Sequence, residues 1–213
     1  MRPLTKAPCP RVLVEHEIDW RDEYIAARAA GVKPLPSKWR HTEIRKALET
    51  ETAARCAYCD ADITAVSFGD VEHFKPRNHF PELVVEWNNL TLACQTCNNE
   101  KSDKWDDALP YVNPYEDEIS EHIVFVGGFI HAVSYRGVRT VTDIGLGSLE
   151  KTEARWNQVN AAMRLFNLWK MAPTSVRSLL EEQIQLFLAD TPYIGAVEAA
   201  LRGAGYPLTA AAA

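Results

Sequence analysis

Two C-x₂-C pairs, Cys56/Cys59 and Cys94/Cys97, enclose the 34 residues from Asp60 to Ala93. No other feature restricts the folds open to this chain so strongly. Four thiolates are the ligand set of a tetrahedral structural zinc site, and a site closed by four cysteines has no open coordination position for catalysis. A redox motif needs one such pair, not two. Bound Zn²⁺ adds folding free energy that so short a segment could not gain from apolar burial alone. Everything between the pairs, including the run VEHFKPR with His73 and the step Asn89-Leu90, is therefore expected to be fastened in one geometry. Cys9 is left over as a free thiol.

With 213 residues and 46% apolar content, the chain can bury one core, or one core and a small satellite. The opening MRPLTKAPCPRVLVEHE is broken by prolines and charges, and no run approaches the ~18 apolar residues of a membrane span. A cytoplasmic protein with no membrane association is expected, in a compartment where paired cysteines hold metal more often than they form disulfides. A net charge of −6 is awkward for a protein that grips nucleic acid unaided. The charge is uneven, however. Lys33 to Arg55 holds six Lys or Arg against three Glu, whereas Asp106 to Glu121 holds six acidic residues and no basic one. The first segment is the expected phosphate-facing surface and the second is expected to be repelled or to face a partner, with two plain solvated faces as the alternative.

Apolar spacing and turn residues predict an α+β chain. A short helix fits Trp20 to Ala30, stopped by Gly31, and a second fits Trp39 to Ala54 with Ile44, Ala47 and Leu48 on one face. Between the cysteine pairs and just beyond, strands near Asp70 to Phe74 and Asn89 to Ala93 and a helix starting near Cys97 read as ββα. Gly127-Gly128 predicts a hairpin of His122 to Val126 with Phe129 to Val133, and Val138 to Ile144 reads as a third strand. Ser148 is placed to cap a long helix to about Lys170, with Leu149, Trp156, Val159, Met163 and Phe166 along it. Helices over Pro173 to Ala189 and from Thr191-Pro192 to Gly203 follow, then a terminal alanine run that reads as a frayed or appended end. The expected organisation is a mostly helical segment 1–55, a ββα core 56–110, and a hairpin-plus-helix region 111–213.

Chemistry concentrates inside the clamp. The imidazole of His73, with an unperturbed pKa of about 6.5, can take a proton from water at neutral pH. Glu72 and the amide oxygen of Asn98 are hard donors suited to Mg²⁺ or Mn²⁺. Neighbours on a strand point to opposite faces, so Glu72 and His73 share a site only at a bulge or from two sides of a metal. Lys75, Arg77, Lys101 and Lys104 lie close in sequence and are candidate phosphate contacts. Asn88, Asn99 and His79 are near alternatives, with His79 expected to be structural or substrate-contacting.

C-A-Y-C, V-E-H-F-K-P, W-N-N-L and C-Q-T-C-N-N-E-K, in that order from Cys56 to about Trp105, resemble the HNH, or ββα-metal (His-Me finger), nucleases. The resemblance implies a zinc-stabilised ββα-metal core flanked by N-terminal helices and a C-terminal hairpin and helices. It also implies hydrolysis of phosphodiester bonds of nucleic acid, with DNA favoured, using one catalytic Mg²⁺ or Mn²⁺ besides the structural Zn²⁺ on Cys56, Cys59, Cys94 and Cys97. By motif position His73 activates the attacking water, Glu72 and Asn98 hold the metal, and Asn89 buttresses the loop that positions His73. The family more usually has Asp where Glu72 stands, and the third position here is a neutral Asn.

The flanks resemble, more loosely, the HNH subunit of Septu-type and retron-associated anti-phage systems: the helix before C-A-Y-C, Y-V-N-P-Y-E-D-E, the G-G hairpin, and Leu149 to Trp156. That likeness implies an ABC-type ATPase partner, which would present nucleic acid to an acidic nuclease. The long helix with Trp156, Phe166 and Trp169 is a candidate for docking it, against a plain core-packing role. The alternative is a zinc-stabilised nucleic-acid- or protein-binding module with a vestigial nuclease site.

Overall fold

The computed structural model describes residues 1–63 and 69–208; the terminal alanines lie outside the described residues. Seven α-helices and two separate two-stranded antiparallel sheets make up an α+β fold among these residues. Helix α1 (Arg11–Ala29) begins directly after Pro10, nine residues before the expected start, and ends before Gly31, which takes a φ of +70°. Only Val12, Leu13 and Tyr24 of α1 are buried, so its first half carries too weak an apolar period to betray it. Helix α2 (Thr42–Glu51) is shorter than expected because a 3₁₀ turn, Lys38–Arg40, takes up Trp39. Ile44 and Leu48 form its buried face.

Strands β1 (Asp70–His73) and β2 (Leu90–Ala93) pair antiparallel with Asp70 opposite Ala93 and His73 opposite Leu90. Helix α3 (Gln95–Lys101) follows at once, completing the ββα unit. All four residues of β2 are buried, because α2 covers β2 on one side and the first cysteine turn reaches it through the Ala57 N–H on the Leu92 carbonyl, 2.9 Å. One apolar core runs from Met1 through Leu13, Ile44, Leu48, Tyr58, Leu90 and Leu92 to Leu146. The N-terminal helices thus share a core with the ββα unit. Each large apolar side chain buried there contributes about 1.5–3 kcal/mol that the ββα unit could not collect by itself.

The hairpin forms from β3 (Ile123–Val126) and β4 (Phe129–Ala132) around Gly127-Gly128. A Cβ on Gly128 would run into the Trp156 indole, so the turn depends on glycine there. The expected third strand is instead helix α4 (Tyr135–Asp143). Ser134 caps it through the Gly137 N–H, and its buried face is Gly137 and the fully enclosed Thr140, while Val138 is exposed. A helix face made of small and polar residues leaves the valines to mimic a strand. Arg136 pairs with Asp117 and Arg139 with Asp106, so two of the acidic-segment carboxylates are zipped to α4 instead of being left for a partner.

Helix α5 (Leu149–Met171) starts at Ser148, whose hydroxyl accepts from the Lys151 N–H. Its buried seam is Thr152, Arg155, Val159, Ala162 and Phe166, and Leu149 lies outside it, 69% exposed. With α6 (Thr174–Asp190) and α7 (Ile194–Gly203) it encloses a second apolar core of Val159, Phe166, Ile184, Val197, Leu201 and Tyr206. Of the aromatic residues expected to dock a partner or pack the core, Phe166 is buried and stacks with Trp169 against Tyr206, whereas Trp156 is 37% exposed and packs on Phe129, which is 54% exposed. Buried Asp60 joins the two halves, accepting from Arg2 Nε at 2.9 Å and from the Ile194 N–H at 2.8 Å.

Candidate active site and metal centre

The four cysteine sulfurs lie within 4.8 Å of one another, with Cys59 and Cys94 3.9 Å apart. A tetrahedral zinc with bonds of about 2.3 Å sets its sulfurs about 3.8 Å apart. The quartet therefore fits one such ion. Each pair forms a turn in which the N–H of its second cysteine points at the sulfur of its first, 3.5 Å in both cases, and such donors favour the thiolate that a metal needs. Three of the four are buried and Cys94 is half-buried, so the site is closed. Cys9 is a free thiol elsewhere, its sulfur on the Pro10 carbonyl.

Beside the clamp opens a cleft of about 340 Å³ whose walls include Asp70, Glu72 and His73 of β1, Asn98 of α3, and Arg77 of the loop after β1. Residues two apart on a strand share a face, and residues three apart on a helix share a face. Asp70 and Glu72 accordingly look at Asn98 and Lys101. The Asn98 amide Nδ2 donates to Asp70 Oδ2 at 2.9 Å, and Lys101 Nζ donates to Glu72 Oε1 at 2.6 Å.

His73 is nine-tenths buried, edge-on to the Trp39 ring at 5.1 Å. Its Nε2 lies 2.8 Å from the Val84 carbonyl. A carbonyl oxygen only accepts, so Nε2 carries the hydrogen and Nδ1 is left as the basic nitrogen. Burial, with Arg77 and Lys101 nearby, pulls the imidazole pKa down to about 4 against the opposing pull of the Val84 bond, so the ring is neutral at pH 7. Asn89 holds the loop that carries this acceptor. Its Oδ1 accepts the Lys75 N–H at 2.8 Å, and its Nδ2 donates to the Lys75 and Leu83 carbonyls at 3.1 and 3.2 Å.

Three of the four basic candidates lie outside the cleft lining. Lys101 is fully enclosed, bonded to Glu72 and to the His73 carbonyl at 2.9 Å, and cannot reach a substrate phosphate. Lys75 turns its ammonium to the Phe80 and Trp105 rings, and it does not line the cleft. Exposed Lys104 points to the Asp143 carbonyl, also outside the cleft. Of the four basic candidates only Arg77 lines it, its guanidinium 5.0 Å over Trp39. Glu72 lines the cleft but is buried, one oxygen held by Lys101; burial raises its pKa and the Lys101 ammonium opposes the rise. Of the near alternatives, Asn99 lines the cleft, whereas His79 is exposed with Nε2 on the Asp103 carbonyl at 2.9 Å.

Residues 56–104 match the family described as HNH endonuclease. This segment is an HNH domain. Over 116 residues the chain is 32% identical to the Septu protein PtuB of Bacillus thuringiensis, an alignment covering 54% of this chain and 45% of that protein. Over 150 residues it is 26% identical to the Septu protein PtuB of Bacillus mycoides (strain KBAB4), covering 55% and 51%. The chain spans about half the length of these curated relatives. The HNH match ends beside Lys104 and takes in both cysteine pairs and the cleft face of β1 and α3. Among the described residues no helix is long and apolar enough to cross a membrane.

The lining residues that the motifs did not single out include Asp70, Trp39 and Arg40. Asp70 was available from the strand period, two positions before Glu72. Trp39 and Arg40 arrive from a separate 3₁₀ turn, and no local motif signals them.

Proposed function

We propose that this protein is a metal-dependent endonuclease in which His73 takes the proton from the water that attacks a phosphodiester in line. The observation that carries the reading is the tautomer of His73. Its Nε2–H is committed to Val84, so Nδ1 is the proton acceptor, on a ring that lines the HNH cleft and is neutral at pH 7. Asn89 fixes the loop between His73 and Val84, which keeps that nitrogen aimed. Arg77 and Arg40 receive the phosphates that flank the scissile bond. A carboxylate of the β1 face and the Asn98 amide oxygen are hard donors that fit Mg²⁺ or Mn²⁺. When bound there, such an ion supplies Lewis-acid stabilisation of the charge that builds on the phosphorane and leaving oxygens.

The cellular role we infer is the effector nuclease of an anti-phage defence system, cytoplasmic and acting on DNA with an ABC-type ATPase. Similarity to two Septu proteins supports it. So does charge: a chain of net −6 whose cleft offers two arginines is poorly equipped to hold nucleic acid alone.

The test is incubation of zinc-loaded protein with supercoiled plasmid or with RNA in Mg²⁺ or Mn²⁺, with and without the ATPase. Metal-dependent cleavage that falls about 10²- to 10⁴-fold in His73→Ala is expected. Equal cleavage by the two proteins rejects the base. Retained nucleic-acid binding with no cleavage by either supports the zinc-stabilised binding module instead.

A further inference from the structure

We propose that Asp70, not Glu72, is the carboxylate that joins Asn98 in holding the divalent cation of the cleft, and that Glu72 is a positioning residue. This rests on the nuclease reading and deepens it. The β1 face offers two carboxylates to α3, and α3 answers them differently. Glu72 meets an ammonium: Lys101 Nζ is 2.6 Å from its Oε1, fully enclosed, and also bonded to the His73 carbonyl. Tyr58 adds a hydroxyl 3.5 Å from the same oxygen. A buried cation at that distance cancels the charge a Mg²⁺ or Mn²⁺ ion would need, and a second cation drawn to the same carboxylate would face Lys101 across a low-dielectric gap.

Asp70 meets a neutral amide instead. Asn98 Nδ2 donates to its Oδ2 at 2.9 Å, and Asp70 is half-buried where Glu72 is 5% exposed. This hydrogen bond orients both partners. Asn98 uses its nitrogen on Asp70, which turns its oxygen away from that bond, and Asp70 keeps its second oxygen out of it. The result is one carboxylate oxygen and one amide oxygen on adjoining side chains of the cleft that His73 also lines. Hard oxygen donors of this kind are what Mg²⁺ and Mn²⁺ take, with water filling their remaining positions. The Glu72–Lys101 pair then has a mechanical task. By bridging Glu72 and the His73 carbonyl, Lys101 fixes the end of β1 and with it the backbone of the base.

Mn²⁺ binding to the zinc-loaded full chain, read by electron paramagnetic resonance of free Mn²⁺ without nucleic acid, separates the two carboxylates. Asp70→Asn keeps an acceptor for Asn98, so it should melt normally and hold its zinc while Mn²⁺ affinity falls at least about tenfold. Glu72→Gln should lower the melting temperature and leave Mn²⁺ affinity within about threefold of wild type. Asp70→Asn binding Mn²⁺ as tightly as wild type, loss of binding in Glu72→Gln alone, or no Mn²⁺ binding by wild type overturns the assignment. None of these outcomes depends on His73, so a failure here is distinct from His73→Ala cleaving as well as wild type, which overturns the nuclease reading beneath it.

Discussion

The cysteine clamp and the adjoining cleft are built by opposite rules from neighbouring stretches of the same 49-residue HNH match. The clamp uses four identical donors on two rigid turns, all within 4.8 Å and nearly all buried. The cleft uses dissimilar donors on β1, α3 and a loop, and it stays open over about 340 Å³. Each sulfur faces the other three, whereas Asp70 and Asn98 share one hydrogen bond and His73 is held through Nε2 on the Val84 carbonyl, which leaves Nδ1 to the cleft. Rigidity and reactivity are thereby kept in separate parts of the unit. The clamp holds the ends of the ββα unit, and the cleft depends on that frame for its aim.

Breaking the clamp should have the largest effect. A structural zinc in a small module contributes on the order of 10 kcal/mol. Cys59→Ser is expected to lose zinc and unfold the ββα unit, seen as absent zinc in elemental analysis and loss of the cooperative melt. Retention of one zinc with a normal melt would show that the four sulfurs do not form one site.

Next in size is the boundary between frame and cleft, which runs through Lys101. Removing one partner of a buried ion pair costs about 3–5 kcal/mol because the other charge is left uncompensated. Lys101→Met should cost that much in urea denaturation while zinc stays bound. A cost below about 1 kcal/mol would place Lys101 among surface pairs, against its full enclosure.

The smallest effect sharpens the cleft itself. Arg77→Ala should weaken nucleic-acid binding about tenfold, equivalent to ~1.4 kcal/mol, because Arg77 lines the cleft. Lys104→Ala should leave binding within about twofold, since its ammonium sits at the Asp143 carbonyl. Fluorescence anisotropy with a labelled duplex in Ca²⁺ reads both, and equal losses would erase the distinction between cleft and surface cations.

The same contrast explains what could be read from the sequence. Cysteine spacing is a local code, and the ββα order, the hairpin at Gly127-Gly128 and the cap at Ser148 follow from neighbours in the chain. The start of α1 and the helical state of 135–143 do not, because their buried faces rest on a few side chains or on Gly137 and Thr140. The cleft was legible in part. His73 and Asn98 stand out as residues, but whether a carboxylate faces an amide or an ammonium depends on which α3 residue lies opposite, and that is tertiary information. Lys101 looked like any surface lysine until α3 was laid on β1.

If the clamp and the chemistry are separable, His73→Ala should remove one and spare the other. On a single preparation, zinc content, melting temperature and metal-dependent plasmid cleavage are measured beside wild type. One zinc per chain, a cooperative melt close to wild type and cleavage reduced about 10²- to 10⁴-fold are expected. Cleavage equal to wild type, or zinc lost together with activity, would contradict that separation.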